Sequence, residues 1–402
     1  MSATVGAAAP TVSQLFRGPA IPAAERLRPI RHLYLHIPFC VHKCGYCDFN
    51  AYAGMSHWIE PYMAALCTEL ELALCALPFR ALRSVYLGGG TPSLVEPEQL
   101  AGTLDLLRSD GLIAPGCEIT LEANPSTVSL PRARGWHRLG VNRVSLGVQS
   151  FDAGDLRVLE RMADGSQVAS AVSAIRSAGI ERLNLDLIYG VPGQTPRSWS
   201  RTLEQAVQLN PQHLSCYCLA VEPRTRLARQ VGEGRLVPLG SDLEWELATL
   251  TRTRLAQEGY LRYEISNWCR PGSPSRHNLA YWRVKSVYGA GAGAHSCLVS
   301  APWRWHRTWN VSHPRAYIAA ASRGLPTEDG EIVGGALAMA EKTMLGLRTC
   351  WGVHLGNHAL RHLGSPLEEL YQAGLVDLVA GRWRSTARGL DLHNQVAMAL
   401  LP

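Results

Sequence analysis

Residues 31–49, RHLYLHIPFCVHKCGYCDF, run a β-rich stretch directly into a loop that carries three thiols, Cys40, Cys44 and Cys47. Three cysteines within eight residues can be presented by one loop to one centre. Iron–sulfur clusters are usually held by four thiolates, so a three-cysteine loop leaves one iron open to an outside ligand. The alternative is zinc completed by His36, His42 or Asp48; zinc loops more often pair cysteines as CxxC and bring in a second pair.

Working outward, five more short apolar runs follow: SVYLGGG (84–90), EITLEAN (118–124), RVSLGVQ (143–149), RLNLDLIYG (182–190) and HLSCYCLAV (213–221). Segments 57–77, 95–109, 153–179 and 196–209 place apolar residues at three- and four-residue spacing, as crossover helices do. Six strand–helix units predict an α/β fold, a partial parallel (β/α)6 barrel. Every strand ends in polar or glycine residues, and that edge of a parallel barrel is where chemistry is assembled. Beyond residue 222 the pattern gives a helix (241–258), an aromatic, glycine- and histidine-rich loop region (263–310) and a helical tail with a β-wing. The expected division is a flexible leader (1–28), a barrel (29–262), the loop region (263–310) and a smaller C-terminal domain (311–402). That last domain is expected to cover the barrel mouth or to serve as a docking surface.

The chain has 402 residues, 47% hydrophobic and 18% charged, with a net charge of +6 spread along its length. No basic block calls for nucleic acid. No apolar run reaches the ~18 residues of a membrane span, and a secretory leader is not evident, so a cytoplasmic protein is expected. Eleven cysteines in such a chain point to metal ligation or burial rather than disulfides.

A CxxxCxxC loop after the first strand resembles the radical S-adenosylmethionine superfamily. The resemblance implies a 4Fe-4S cluster on Cys40, Cys44 and Cys47 whose open iron takes S-adenosylmethionine. The wider set YLGGGTPS, LEANPS, GVQSFD, NLDLIYGVPGQT and HNLAYW looks like oxygen-independent coproporphyrinogen III dehydrogenases and their relatives, the HemW-type heme chaperones. Carried over motif by motif, the cofactor contacts would be Tyr34, Tyr46, Gly89, Gly90, Thr91, Glu122, Gln149, Arg161, Asp186 and Ala220. Arg161 is expected on the helix after the fourth strand.

Two features favour the chaperone branch. The dehydrogenases carry a fourth cysteine two residues after the third, where this chain has Phe49; and RHNLAYW (276–282) matches the chaperones' HNxxYW element. His277, Tyr281 and Trp282 are therefore heme candidates, with His295, Cys269 and Cys297 competing. The implied function is a heme chaperone, rather than an enzyme, that passes heme to acceptor hemoproteins, including respiratory acceptors at the inner membrane; a homodimer is left open. The competing function is coproporphyrinogen dehydrogenation by a 5′-deoxyadenosyl radical. The chain departs from the family at Ala163, where histidine is common, at Arg224, where glycine is usual, and at Cys216 and Cys218.

Overall fold

The computed structural model describes residues 26–401; the expected leader lies, up to residue 25, outside the described residues. Six parallel strands stand in sequence order: β1 (Ile30–Ile37), β2 (Phe79–Gly89), β3 (Ile113–Ala123), β4 (Arg143–Gln149), β5 (Arg182–Tyr189) and β6 (His213–Cys218). Helices α1 (Ile59–Ala76), α2 (Pro97–Ser109), α3 (Leu130–Arg138), α4 (Ala153–Val158), α5 (Gly165–Ser177) and α6 (Pro196–Gln208) connect them. Their starts are written locally. Glu96, Asp164 and Thr195 close capping boxes, Ser129 caps α3, and prolines open α2 and α6.

Alternation along the strands sorts two environments. Leu33, Leu35, Val85, Leu87, Ile119, Leu121, Val144, Leu146, Leu183 and Leu185 pack in the main core beneath the helices. The alternate positions, among them His32, Ser84, Glu118, Ser145, Asn184 and His213, are also buried yet polar. They satisfy one another across the lumen: Asn184 Nδ2 donates to Ser145 and Ser215, and its Oδ1 meets His213 Nδ1 at 2.6 Å.

The sheet continues past the barrel. After α7 (Arg226–Gly232) and α8 (Ser241–Gln257), β7 (Leu261–Arg262) and β8 (Asn267–Cys269) add antiparallel beyond β6. Following α9 (Arg276–Trp282), β9 (Val287–Ala290) lies parallel to β1, and β10 (His295–Ala301), β11 (Arg304–Asn310) and β12 (Thr327–Gly334) extend that edge antiparallel. The 12-stranded sheet runs β12-β11-β10-β9-β1-β2-β3-β4-β5-β6-β8-β7 and stays open. Region 263–310, expected as a loop, is thus mostly sheet and helix. Its runs HSCLVSA and RWHRTWN alternate as strands do, around a turn at Pro302-Trp303.

Behind α10 (Pro314–Ala321) come α11 (Gly335–Leu347), α12 (Asn357–Gln372), the wing β13 (Val376–Val379) and β14 (Arg382–Ser385), α13 (Ala387–Asp391) and α14 (His393–Leu400). α11 leaves β12 at one edge of the sheet and leads to Thr349, which bridges Glu264 beside β7 and β8 at the other edge. The junction is tied by the buried Glu264 carboxylate with Arg348 Nε at 2.9 Å, and by Asp391 with Arg252 and Arg262. The C-terminal domain, expected to cover the mouth or to serve as a docking surface, braces the open side of the sheet. Among the described residues no helix is long and apolar enough to cross a membrane.

Glu69 of α1 anchors the extension. Fully buried, it accepts from Tyr317 Oη (2.6 Å), Asn310 Nδ2 (2.7 Å), Gly291 N (2.8 Å) and Tyr288 Oη (3.0 Å). Burial raises its carboxyl from 4.5 to about 7, while the four donors pull downward. The native state therefore keeps a proton that the unfolded chain releases above pH 4.5, so this residue's contribution is greatest below that pH and is lost as pH rises through about 7. Denaturant unfolding from pH 4.5 to 8 is expected to show wild type losing up to about 3 kcal/mol relative to Glu69→Gln, at ~1.36 kcal/mol per pKa unit.

Candidate cofactor cleft

At the C-terminal ends of β1–β6 lies a cleft of about 540 Å³, lined by Cys40, Cys44 and Cys47 together with Tyr46, Gly89, Gly90, Thr91, Glu122, Gln149, Arg161, Asp186 and Ala220. That size suits a small-molecule cofactor. Nine of the ten expected cofactor contacts are gathered there with the three thiols. Tyr34 is not: its ring lies in the lumen, its hydroxyl 3.0 Å from His36 Nδ1 and its face near Tyr86.

The cysteine loop is set against the end of β2 by backbone. Gly90 N donates to Ile37 O and Thr91 N to Phe39 O, both at 2.8 Å. A Cβ on Gly90 would stand 2.7 Å from Phe39 O, and one on Gly89, whose φ is +118°, would stand 2.6 Å from the His36 ring. Only glycine permits this approach. On the far side, Glu160 accepts from Arg226 at 2.5 Å and stands 3.1 Å from His42 Nε2; Leu227 N donates to Gly45 O at 2.9 Å. Neither Glu160 nor Arg226 was foreseen. The signal was conformational: Glu160 has φ +52°, a left-handed turn that splits the expected 153–179 helix into α4 and α5.

That split also corrects Arg161, which sits in the connecting turn rather than on a helix. Its Nη2 donates to Gly147 O, and Nη1 lies 3.7 Å from Cys44 Sγ. Tyr46 packs against Leu159, Ile188 and Val191. Glu122 accepts from Tyr86 Oη at 2.8 Å and Gly89 N at 3.0 Å, and burial lifts its carboxyl to about 7. Asp186 accepts from Ser145 and Asn184, each at 2.8 Å. Gln149 has φ +70° where the β4–β5 register shifts, a strained residue at a strand end. Arg224 has φ +73°, which explains why glycine is usual there.

The donor chemistry fits a cluster. All three cysteines are free. All three line the same cleft, and burial raises the Cys40 and Cys47 thiols, with neighbouring cysteines adding to the rise. Among the described residues no His, Cys, Asp and Glu group is drawn tightly enough for a single ion. A four-iron cluster, if bound, would be held by the Cys40, Cys44 and Cys47 thiolates.

The structure does not bring His277, Tyr281 and Trp282 to this cleft. α9 plugs the opposite end of the lumen, its first amides donating to Glu118 Oε1. His277 is 1% exposed, and its nitrogens meet Ser84 Oγ (2.9 Å) and Tyr281 Oη (3.2 Å). Burial pulls its imidazole down to about 3, and its ring stacks on Tyr86 at 5.0 Å. Trp282 lies under the Arg348 guanidinium.

An open parallel barrel with a three-cysteine loop at its mouth is the architecture of the radical SAM class, and residues 34–206 match the Radical SAM superfamily. The solved coproporphyrinogen III oxidase HemN of Escherichia coli, described as a radical SAM enzyme, shares the fold, with a TM-score of 0.79 over 94% of this chain and 91% of that one at 24% identity. The heme chaperone HemW of Mycobacterium tuberculosis is 38% identical over 92% of this chain and 94% of its own. HemW of Bacillus subtilis is 33% identical over 92% and 99%. The chain belongs to the HemW family of heme chaperones.

Gly90→Ala is expected to push the Cys40 backbone off the β2 end. Iron and sulfide content after anaerobic reconstitution should fall several-fold, with far-ultraviolet circular dichroism little changed.

Proposed function

We propose that this protein is a heme chaperone that holds a 4Fe-4S cluster on Cys40, Cys44 and Cys47, binds S-adenosylmethionine in the cleft, and transfers heme to acceptor hemoproteins. The observation that carries the reading is Phe49, 70% exposed beside the cysteine loop at the position where the dehydrogenases have a fourth cysteine. The HemW relatives, matched over nearly the whole chain, support it.

The cluster, when present, supplies an iron that can chelate the amino and carboxylate groups of S-adenosylmethionine. The chain's own residues do the positioning. Gly89 and Gly90 let backbone approach the ligand, Arg161 offers a guanidinium to a carboxylate, Asp186 and Glu122 present acceptors to ribose hydroxyls, and Tyr46 packs on the adenine. His277 is better read as part of the barrel floor, because an axial role would require α9 to leave its place.

The test is anaerobic titration of cluster-loaded protein with hemin, followed by mixing with an apo-hemoprotein. A heme-dependent Soret band should form at near one equivalent and move to the acceptor's spectrum on mixing. Absence of the band, or anaerobic conversion of coproporphyrinogen III to protoporphyrinogen with consumption of S-adenosylmethionine, would overturn the chaperone reading.

A further inference from the structure

The heme-carrier reading leaves open where the macrocycle sits, and the edge of the sheet beside the cleft offers a place. His295 opens β10 and faces Trp309 of β11 directly across the ladder; their rings stack at 5.7 Å and 29°. His295 is exposed. Among the described residues neither of its ring nitrogens has a hydrogen-bond partner. The lumen histidines differ: His32, His36, His213 and His277 are all hydrogen-bonded. Partial burial and the Arg307 guanidinium hold the His295 imidazole below its ordinary value, which keeps a lone pair free.

The face on which these rings stand is covered only in part. Val299, Trp305 and Val333 of β10–β12 pack with Ala338 of α11. One step along, Arg307 pairs with Glu331 (3.0 Å) and Glu341, the last tie to α11. Beyond it, His295, Trp309 and Asp329 lie in register with the face uncovered. The stacked indole fixes the imidazole orientation and presents its edge to anything flat lying across the ring nitrogen.

This shelf adjoins the cysteine loop. Asn50 Nδ2 donates to Ala292 O and Ser312 O, each at 2.9 Å, which ties the residue after Phe49 to the glycine turn before His295. A Cβ on Gly293 would meet that Asn50 amide at 2.5 Å. Phe49 is thus exposed at the cleft one residue before this tie to the shelf. Lys43 Nζ donates to Phe49 O at 3.0 Å and sets a cation at the cleft.

We propose that heme docks on this shelf with the His295 imidazole as axial ligand to its iron, Trp309 and Phe49 against the macrocycle, and the propionates turned toward Lys43. The assignment rests on the heme-carrier reading and moves the ligand from the floor to the sheet edge. An apolar plane carrying two carboxylates and a ligand-seeking iron matches an unpartnered imidazole, two aromatic rings and one ammonium.

Full-length, cluster-loaded wild type, His295→Ala, Trp309→Ala and His277→Ala would be titrated with hemin under anaerobic conditions, with melting temperature and iron content as folding controls. His295→Ala should weaken hemin binding about tenfold or more, lose the imidazole-ligated ferric heme signal that wild type gives in electron paramagnetic resonance, and regain it on addition of free imidazole. Trp309→Ala should weaken binding to a smaller degree, and His277→Ala should melt lower while keeping the wild-type heme spectrum. An unchanged spectrum and affinity in His295→Ala overturn this assignment alone. A wild type with no heme band overturns the heme-carrier reading and this assignment with it.

Discussion

The cleft depends on a contact between two pieces of main chain. Where β2 ends, Gly89 and Gly90 lie so close to His36, Pro38 and Phe39 that no Cβ fits, and two backbone hydrogen bonds fix the separation. Everything the site needs is measured from there. Cys40 follows Phe39 at once, Thr91 Oγ1 reaches Cys40 Sγ at 3.4 Å, and Glu122 accepts from Gly89 N. The opposite wall, Glu160 with Arg226 and His42, holds the loop from outside. The three thiols thus sit on a short loop clamped at both flanks, which limits the chain entropy that binding must overcome.

A polar lumen is the second constraint. Barrel interiors usually fill with branched apolar side chains; here buried carboxylates, histidines and amides line it, and each must find a partner. α9 supplies partners from below and the C-terminal domain closes the open side, with the buried Glu264–Arg348 pair at the joint. A sheet that stayed open without that brace would expose both edge strands and the polar interior. The acidic strand β12, TEDGEIVG, is suited to an edge.

Much of this was legible in the sequence, for a definite reason. The six barrel strands and their helices bury one face in a common core, so their apolar periodicity is strong, and the cysteine loop and glycine run declare themselves at strand ends. What escaped notice was set by conformation or distant contact. The break at Glu160 hides in a stretch whose apolar spacing continues through it. α3 reads LPRARGWHR, short, basic and broken by Gly135, with little apolar spacing to announce a helix, yet it buries Ala133 and Trp136. Strands β10 and β11 carry histidine, tryptophan and arginine because half of their inner face is open, and that composition reads as loop rather than strand. His277 is a heme candidate through the HNLAYW resemblance and its aromatic neighbours, and the structure places it in the lumen floor, bonded to Ser84 and Tyr281. Burial, which no local pattern records, makes it a satisfied floor residue.

If a cluster on the three-cysteine loop leaves one iron open at the cleft, S-adenosylmethionine would ligate it there. The direct measurement is electron paramagnetic resonance of the dithionite-reduced, reconstituted protein before and after adding S-adenosylmethionine. Ligation of the open iron by its amino and carboxylate groups should change the g values of the reduced cluster, and Asp186→Asn, which weakens the pocket but leaves the cysteines intact, should require more ligand for the same change. A spectrum indifferent to saturating S-adenosylmethionine would contradict the assignment of the cleft.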